Sequence, residues 1–474
     1  MTTASRIRAL LTTMLLLFIV CRIKAESDNP TVRLMVWQGF KYNEVVLLRD
    51  NVAQFCRVWN ASRKPQIEID IQQVPFQDML KKIKTAALAR QTPDIVFVDA
   101  NSMVPLVFGG VARELDTLAN FPSASIDQLR TQYAAGAFDT NIVTLKGRRG
   151  LYGLPAQTTT LALFWNKKMI RARAAELKAA GLDPEKPPGD WEEFIRYGRI
   201  LTQPQKGLYG FGMNNSFWFT MPFLNQYQAE VVRRNSDGML EPALASRLAE
   251  AAINRKVSFW LKDHIEAGAW RQGALDPEQG FVNEKYAMIL TGPWQTENFR
   301  SSKLDFGVAL IPRVPLSEAK SLGLLPQNAD TNSTAARTLT AGNIGGQNIV
   351  VSTQSKYPGI GLDFAIFFTS EPVQRRWAEE LGQIPVLLAA QKNLKLDNFP
   401  QTHVFIEQIS YAKSMPALPF VGALETDIIN PEIDLVLRGR QSTMDAMKII
   451  DQKIKTRILD PVNKAERFAR EKRM

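Results

Sequence analysis

The chain has 474 residues, 45% of them hydrophobic and 22% charged. That length exceeds what one hydrophobic core serves, so at least two lobes are expected, and the composition excludes collagen-like, disulfide-scaffolded and largely disordered chains. The formal charge is +11, spread over helix faces such as 81–90 without a basic–aromatic stripe, which argues against nucleic acid as a partner.

Residues 1–25 read as a signal peptide. Arg6 and Arg8 form a basic start, Ala9 to Val20 an apolar run too short for a confident membrane span, and Ala25 a small residue ahead of the polar stretch Glu26 to Pro30. An uncleaved anchor and lipidation of Cys21 are the competing readings. Arg6, Arg8, Arg22 and Lys24 carry four of the positive charges, and their removal leaves +7. It also leaves Cys56 as the one cysteine, so the mature chain forms no internal disulfide. Cys56 falls at helical spacing with Leu48, Val52, Phe55 and Trp59, as a small buried apolar residue does. His264 and His403 have no compact Cys or His cluster beside them, so neither signals a metal site.

The first strand is expected at Val32 to Trp37, ended by Gln38 and Gly39, with a helix over about 44–60. Residues 66–74 alternate with Ile67, Ile69 and Ile71 on one face, a strand with one drier side. Pro75 ends it, and a basic amphipathic helix follows over 76–90. The apolar run Ile95 to Val98 then reads as a buried strand ending at Asp99. This order is that of β–α–β units on a parallel sheet, whose ligands collect at the carboxyl ends of strands. No connection carries GxGxxG or GxxxxGK followed by Ser or Thr, so no nucleotide cofactor is expected.

A second region begins near Gly150. Residues 150–170 hold a bend and a strand-like run with both faces covered around Trp165. Asp190 is placed to cap a helix starting at Trp191. Residues 207–227 are dense in glycine, amides and aromatics; 243–264 reads as a helix; 282–299 holds a short apolar strand closed by Gly292, Pro293 and Trp294. The polar segment 313–343 reads as an exposed insertion or flap. Helices follow over about 359–368, 371–381 and 442–458, with turn signals at Pro385, Pro416 and Pro419.

Four segments, PDIVFVD (93–99), GLYGLPAQTTTLALFWNKKMI (150–170), NEKYAMILTGPW (283–294) and GGQNIVVS with FAIFFTSEPVQRRW (345–352, 364–377), stand in an order that resembles extracellular solute-binding protein family 1, together with LGQIPV (381–386). These are the carbohydrate-binding receptors of ABC importers, akin to maltodextrin-binding proteins. The resemblance implies a periplasmic-binding-protein-like fold, two interwoven α/β lobes joined by a hinge with the ligand cleft between them. It assigns 30–145 and 295–370 to the first lobe, and 146–294 and 371–474 to the second. It further implies a periplasmic, monomeric receptor that hands a sugar or small oligosaccharide to a membrane permease, without enzymatic activity, cofactor or metal.

A sugar site needs amides, carboxylates and backbone groups for the hydroxyl rim and flat rings for the C–H faces. The candidates are Trp37 and Gln38 after the first strand, Asp99 and Asn101 after the third, Gln157 in the crossing segment, Asn214, Asn215 and Trp218 in the amide–aromatic loop, Trp294 after Gly292–Pro293, and Gly346 with Gln347. Each has a plainer reading: core packing for Trp37 and Trp294, a helix cap for Asp99, hinge support for Gln157 and Gln347, a solvent turn for Asn214–Asn215. Trp191 and Trp377 read as helix–core residues. The alternatives to a sugar importer are a receptor for a polyol, sugar acid or sugar phosphate, a signalling receptor, and a secreted carbohydrate-active enzyme using a carboxylate pair such as Asp99 and Glu297.

Overall fold

The computed structural model describes residues 31–471 apart from 42, 135, 331–335, 337, 416, 417, 419 and 420. The signal-peptide reading, Cys21 and the turn signals at Pro416 and Pro419 lie outside the described residues. The strands are, in chain order, β1 (Val32–Gln38), β2 (Ile67–Gln73), β3 (Ile95–Asp99), β4 (Ile142–Leu145), β5 (Arg148–Leu151), β6 (Leu154–Thr159), β7 (Ala162–Asn166), β8 (Tyr209–Gly212), β9 (Val232–Arg234), β10 (Leu240–Pro242), β11 (Tyr286–Thr291), β12 (Phe306–Ala309), β13 (Asn343–Val351) and β14 (Lys413–Ser414). Two sheets organise the chain. The first runs β14–β13–β3–β1–β2, with β6 also paired to β13; the second runs β12–β7–β11–β8. Two small hairpins, β4–β5 and β9–β10, stand apart.

The first sheet is parallel where the sequence implies β–α–β units, at β2, β1 and β3. β13, a crossing segment that returns from the other lobe, adds antiparallel to β3, and β6, which leads out of the first lobe, pairs antiparallel with β13. Alternation along β1 assigns its faces. Val32, Leu34 and Val36 join a core beneath the helices Asn43–Ser62, Pro358–Phe368 and Glu371–Leu381, while Trp37 joins the opposite face with Met79 and Ile83 of the helix Met79–Leu88.

β7, fully buried along its length, is central in the second sheet, antiparallel to both β11 and β12. Its helix Trp191–Leu201 starts as the sequence predicts: the Asp190 carboxylate accepts from the N–H groups of Glu192 and Glu193, both at 3.0 Å, a cap worth about 1 kcal/mol. Trp191 is wholly buried, stacked at 5.1 Å on Phe223, and its N–H donates to Gln226 Oε1 at 2.8 Å. Trp377 is likewise core, edge-on to Phe40 at 5.3 Å. Cys56 is half-buried in its helix, and burial pushes its thiol pKa up.

Three expectations change. Residues 306–309 form β12 of the second sheet, although 295–370 was assigned to the first lobe; they complete the apolar face that Phe164 and Phe299 share with Phe306. The helix Glu371–Leu381, assigned to the second lobe, packs Val373, Trp377 and Leu381 into the first-lobe core. The segment 313–343 is no free flap. Val314, Ala319, Leu324, Leu325, Ala336 and Leu339 are all buried in the second-lobe core, and Tyr227 donates to Glu318 at 2.7 Å. Its polar residues hid a sparse apolar set that tertiary packing uses.

The chain passes from one sheet to the other within two residues, between β6 and β7. A second passage is tied by Gln408, whose Oε1 accepts from Ile311 N–H at 2.8 Å and whose Nε2 donates to the Thr340 carbonyl at 2.7 Å. Among the described residues no helix is long and apolar enough to cross a membrane.

Candidate functional site

Three polar side chains stand abreast where the lobes meet. Asp99 at the end of β3 is the register partner of Gln347 on β13, and Gln347 is the partner of Gln157 on β6. Directly opposed residues on antiparallel strands share a face, so all three project to one side. Gln157 is 6% exposed, yet its Oε1 has no hydrogen-bond partner, and neither has Gln347 Oε1. A buried unpaired carbonyl costs about 1–3 kcal/mol unless a water or a ligand donor satisfies it.

The neighbours fix how the row is presented. Gln157 Nε2 donates to Gln383 Oε1 at 2.6 Å and reaches Glu44 Oε1 at 3.5 Å; Gln383 Nε2 donates to the same Glu44 oxygen at 3.2 Å. With its amide nitrogen engaged there, Gln157 turns its carbonyl away from Glu44. Glu44 sits in the first turn of Asn43–Ser62, and burial pushes its carboxyl up to about 7, against smaller opposing effects from the Lys41 N–H, Gln157 and the Lys41 charge. Asp99 accepts from Asn101 N–H at 2.7 Å, so one oxygen caps the turn Ala100–Ser102, as its plainer reading holds. Burial, and less so the charge of Glu425, push Asp99 up to about 6.

Glu425 comes from the second lobe. Its carboxylate receives the Phe217 and Trp218 N–H groups and the side chains of Ser216 and Asn430, so it caps the helix Phe217–Gln226; burial raises its pKa. Beside it the turn Ala100–Ser102 lies against the helical turn Val421–Ala423. Trp218 is half-buried on that helix, with its ring across Gly345 of β13: a Cβ on Gly345 would stand 2.5 Å from the indole. Asn343 Nδ2 donates to the Trp218 carbonyl at 2.8 Å and ties the helix to the crossing strand. Gly346 has φ +141°, and a Cβ there would overlap the Gln157 carbonyl, so only glycine lets β6 and β13 close up.

The loop before Trp218 is held from below. Lys256, fully buried, donates to Asn215 Oδ1 at 3.1 Å and Thr220 Oγ1 at 2.6 Å; burial pushes it down to about 7. Glu266 accepts from the N–H groups of Met213, Gly268 and Ala269 and is pushed up to about 6 by burial. Asn214 and Asn215 are half-buried.

Asp99, Asn101, Gln157, Gly346 and Gln347 are therefore brought together on the first lobe, with Trp218 facing Gly345 from the second. Trp37 is not among them. It is 6% exposed under Met79–Leu88, and its N–H donates to Gln72 Oε1 at 3.0 Å, because β1 alternation turns it to the far face. Gln38 is buried with its Oε1 accepting from Phe40 N–H at 2.6 Å, and so shapes the strand end. Trp294 folds back over Gly292 and donates to Glu278 Oε1 at 3.0 Å, an acid that also binds Thr291 and Gln295. Glu44, Gln383, Glu425 and Lys256 were missed. Acids in the first turn of helices are routine, and their partners here lie far off in sequence. Among the described residues no three His, Cys, Asp or Glu side chains gather as a metal site requires.

The pattern of the bacterial extracellular solute-binding protein family matches residues 45–375. The galactooligosaccharide-binding protein of Bacillus subtilis is 20% identical over 440 residues, 91% of this chain and 90% of its own length. The maltotriose-binding protein of Pyrococcus abyssi is 21% identical over 401 residues, 84% of this chain and 76% of its own. Among solved structures, an ABC substrate-binding protein from Listeria monocytogenes in complex with cycloalternan superposes with a TM-score of 0.71 at 18% identity, covering 90% of this chain and 98% of that one. A solute-binding protein from Thermotoga lettingae bound with α-D-tagatose gives 0.70 at 21% identity, covering 90% and 99%. The fold is that of two α/β lobes with a cleft between them.

Proposed function

We propose that this chain, which belongs to the bacterial extracellular solute-binding protein family, captures a sugar or small oligosaccharide between its lobes and presents it to the permease of an ABC importer. The observation that carries the reading is the row Asp99–Gln347–Gln157, whose unpaired amide carbonyls are available to accept from a ligand's hydroxyls. Trp218 supplies a flat apolar face opposite, suited to a sugar's C–H groups. The names of the relatives, which bind galactooligosaccharide and maltotriose, support the same class. The protein acts by binding and hinge closure, not by turnover. Residues 1–25 direct export and are removed, and the mature protein works as a monomer in the periplasm.

Calorimetric titration with mono- and oligosaccharides, polyols, sugar acids and sugar phosphates tests the ligand class. Saturable heat with at least one saccharide is expected; silence across the panel refutes the reading. A recovered saccharide that is cleaved after long incubation would favour the enzyme alternative. Amino-terminal sequencing of the periplasmic fraction tests cleavage after Ala25.

A further inference from the structure

Part of the chain's excess positive charge collects at the end of the first sheet that lies away from the cleft. Val351 pairs with Ile95 at the start of β3, about 13 Å along the strands from the Asp99–Gln347 pair of the polar row. The loop 352–357 that follows β13 ties three elements together there. Gln354 Nε2 donates to the Ala87 carbonyl at 2.9 Å, at the end of the helix Met79–Leu88. Thr353 Oγ1 donates to the Gly110 carbonyl at 2.7 Å, just past the helix Met103–Phe108. Ser355 Oγ donates to Asp94 Oδ1 at 2.6 Å, while Asp94 Oδ2 accepts from Met35 N–H of β1 at 2.9 Å.

These ties bring exposed apolar side chains to one end of the lobe. Leu88, next to Ala87, is 90% exposed, the most of any large hydrophobic residue among those described; Phe108, close to Gly110, is 55% exposed and Tyr357, close to Gln354, 38%. Single exposed apolar residues are ordinary, whereas gathered ones mark a contact surface. The charge around them is one-sided. The stretches 84–92, 105–113 and 352–358 hold Lys84, Arg90, Arg113 and Lys356 and no Asp or Glu. Lys84, Arg90 and Lys356 are exposed, and Lys84 precedes Leu88 by one helical turn, on the same face. The first acid after each stretch is engaged elsewhere: Asp94 by Met35 and Ser355, Glu114 by Arg148 at 3.0 Å, Asp363 by Arg63 at 2.6 Å.

Apolar side chains set among unopposed cations match a surface that is anionic outside and apolar just beneath. An anionic bilayer is such a surface: Leu and Phe enter the boundary of headgroups and acyl chains while Lys and Arg meet the phosphates. A second copy presenting the same face would set like charges against each other. The described chain also enters the fold at this end. Val32 lies about 10 Å outward of Met35 along β1, so a chain still held by its amino-terminal segment meets a membrane with this end first.

We propose that this end of the first lobe, through Leu88, Phe108, Tyr357 and the cations Lys84, Arg90 and Lys356, docks on an anionic lipid bilayer. Docking there holds the receptor at the membrane with its cleft, at the other end of the sheet, open to solvent. It does not depend on which solute the cleft takes.

The test sediments the full mature chain with phosphatidylcholine vesicles and with vesicles that also carry about a third phosphatidylglycerol, at low and at physiological salt. Binding to the anionic vesicles should exceed binding to the neutral ones at least about tenfold and fall as salt rises. Lys84→Gln, Arg90→Gln and Lys356→Gln together should abolish that preference. Leu88→Gln with Phe108→Gln keeps every charge and should weaken binding to anionic vesicles about fivefold, most clearly at physiological salt. Neither set touches the cleft, so saccharide affinity should stay as in the wild type. Thermal unfolding reads whether the variants fold, and the wild-type comparison stands if one does not. Equal sedimentation with both vesicles, or none with either, overturns the proposal. Anionic-vesicle binding that the apolar pair leaves unchanged reduces the face to unspecific charge attraction and overturns it too. So does self-association of the wild type that the apolar pair abolishes, which assigns the face to a second copy of the chain.

Discussion

Lys256 provides a quantitative test of how the amide–aromatic loop is supported. Its ammonium is wholly buried, with Asn215 Oδ1 at 3.1 Å and Thr220 Oγ1 at 2.6 Å as acceptors, and burial pulls its pKa from 10.5 to about 7. Below pH 7 the fold must hold a cation that would rather be in water. Between about 7 and 10.5 the unfolded chain keeps a proton that the folded chain has released, so stability rises with pH by about 1.4 kcal/mol per unit. From about pH 7.5 to about pH 9 the gain is about 2 kcal/mol, and across the full window at most about 5 kcal/mol. Asp99 and Glu266, raised to about 6, have finished titrating by then, Glu44, raised to about 7, is completing its ionisation and takes back a small part of the gain, and Tyr197 and Tyr286, pushed to about 12, have not begun. Lys256→Met keeps the volume and removes the proton site. It strands two acceptors at about 1–3 kcal/mol each, offset by loss of the buried charge. Urea unfolding of both proteins at the two pH values gives four free energies. The wild type should gain about 2 kcal/mol and the variant close to none. An equal gain in both would show that Lys256 does not titrate in this window, and that its burial does not govern its charge.

Trp37→Ala and Trp218→Ala should separate core from cleft: the first should cost about 3–5 kcal/mol in chemical unfolding and leave saccharide affinity within twofold, as a buried core ring does, whereas the second should weaken saccharide binding tenfold or more in calorimetry with a smaller loss of stability. Gly346→Ala, at φ +141° with the Gln157 carbonyl in the way, should destabilise by about 2–3 kcal/mol and weaken binding by displacing Gln157; thermal unfolding that matches the wild type would contradict the close approach of β6 and β13. Glu44 has a raised folded pKa, so its ionisation costs stability as pH rises from about 4.5 to about 7. Glu44→Gln should remove that part of the decline, and unfolding curves at either end of the window will read it.

Much of the local structure was legible because its signals are local. Alternation located β2, Asp190 marked the start of its helix, and the helix Glu371–Leu381 matches its expected bounds. Candidate site residues were chosen for strand-end chemistry, and periodicity could not say what covers a face. Trp218 is the stronger platform candidate in sequence, because its neighbours carry little simple periodicity, and Trp37 a weaker one; the structure puts a helix over Trp37 and a glycine under Trp218. Glu44 was passed over because its meaning depends on Gln157 and Gln383, more than a hundred and more than three hundred residues away.

The sequence by itself determined the opening order of β1, β2 and β3 with the helices between them, since hydrophobic period and caps act over a few residues; the two-lobed plan came from chain length and from the order of the family-like segments. The tertiary structure alone decided where each lobe ends and which polar groups meet. β12 joins the second sheet and Trp377 the first core because apolar faces seek cover regardless of chain position. The row Asp99–Gln347–Gln157 exists only once β13 pairs in register with strands that lie far earlier in the chain, β3 and β6. Strand pairing is a long-range choice, and the polar row of the cleft follows from it.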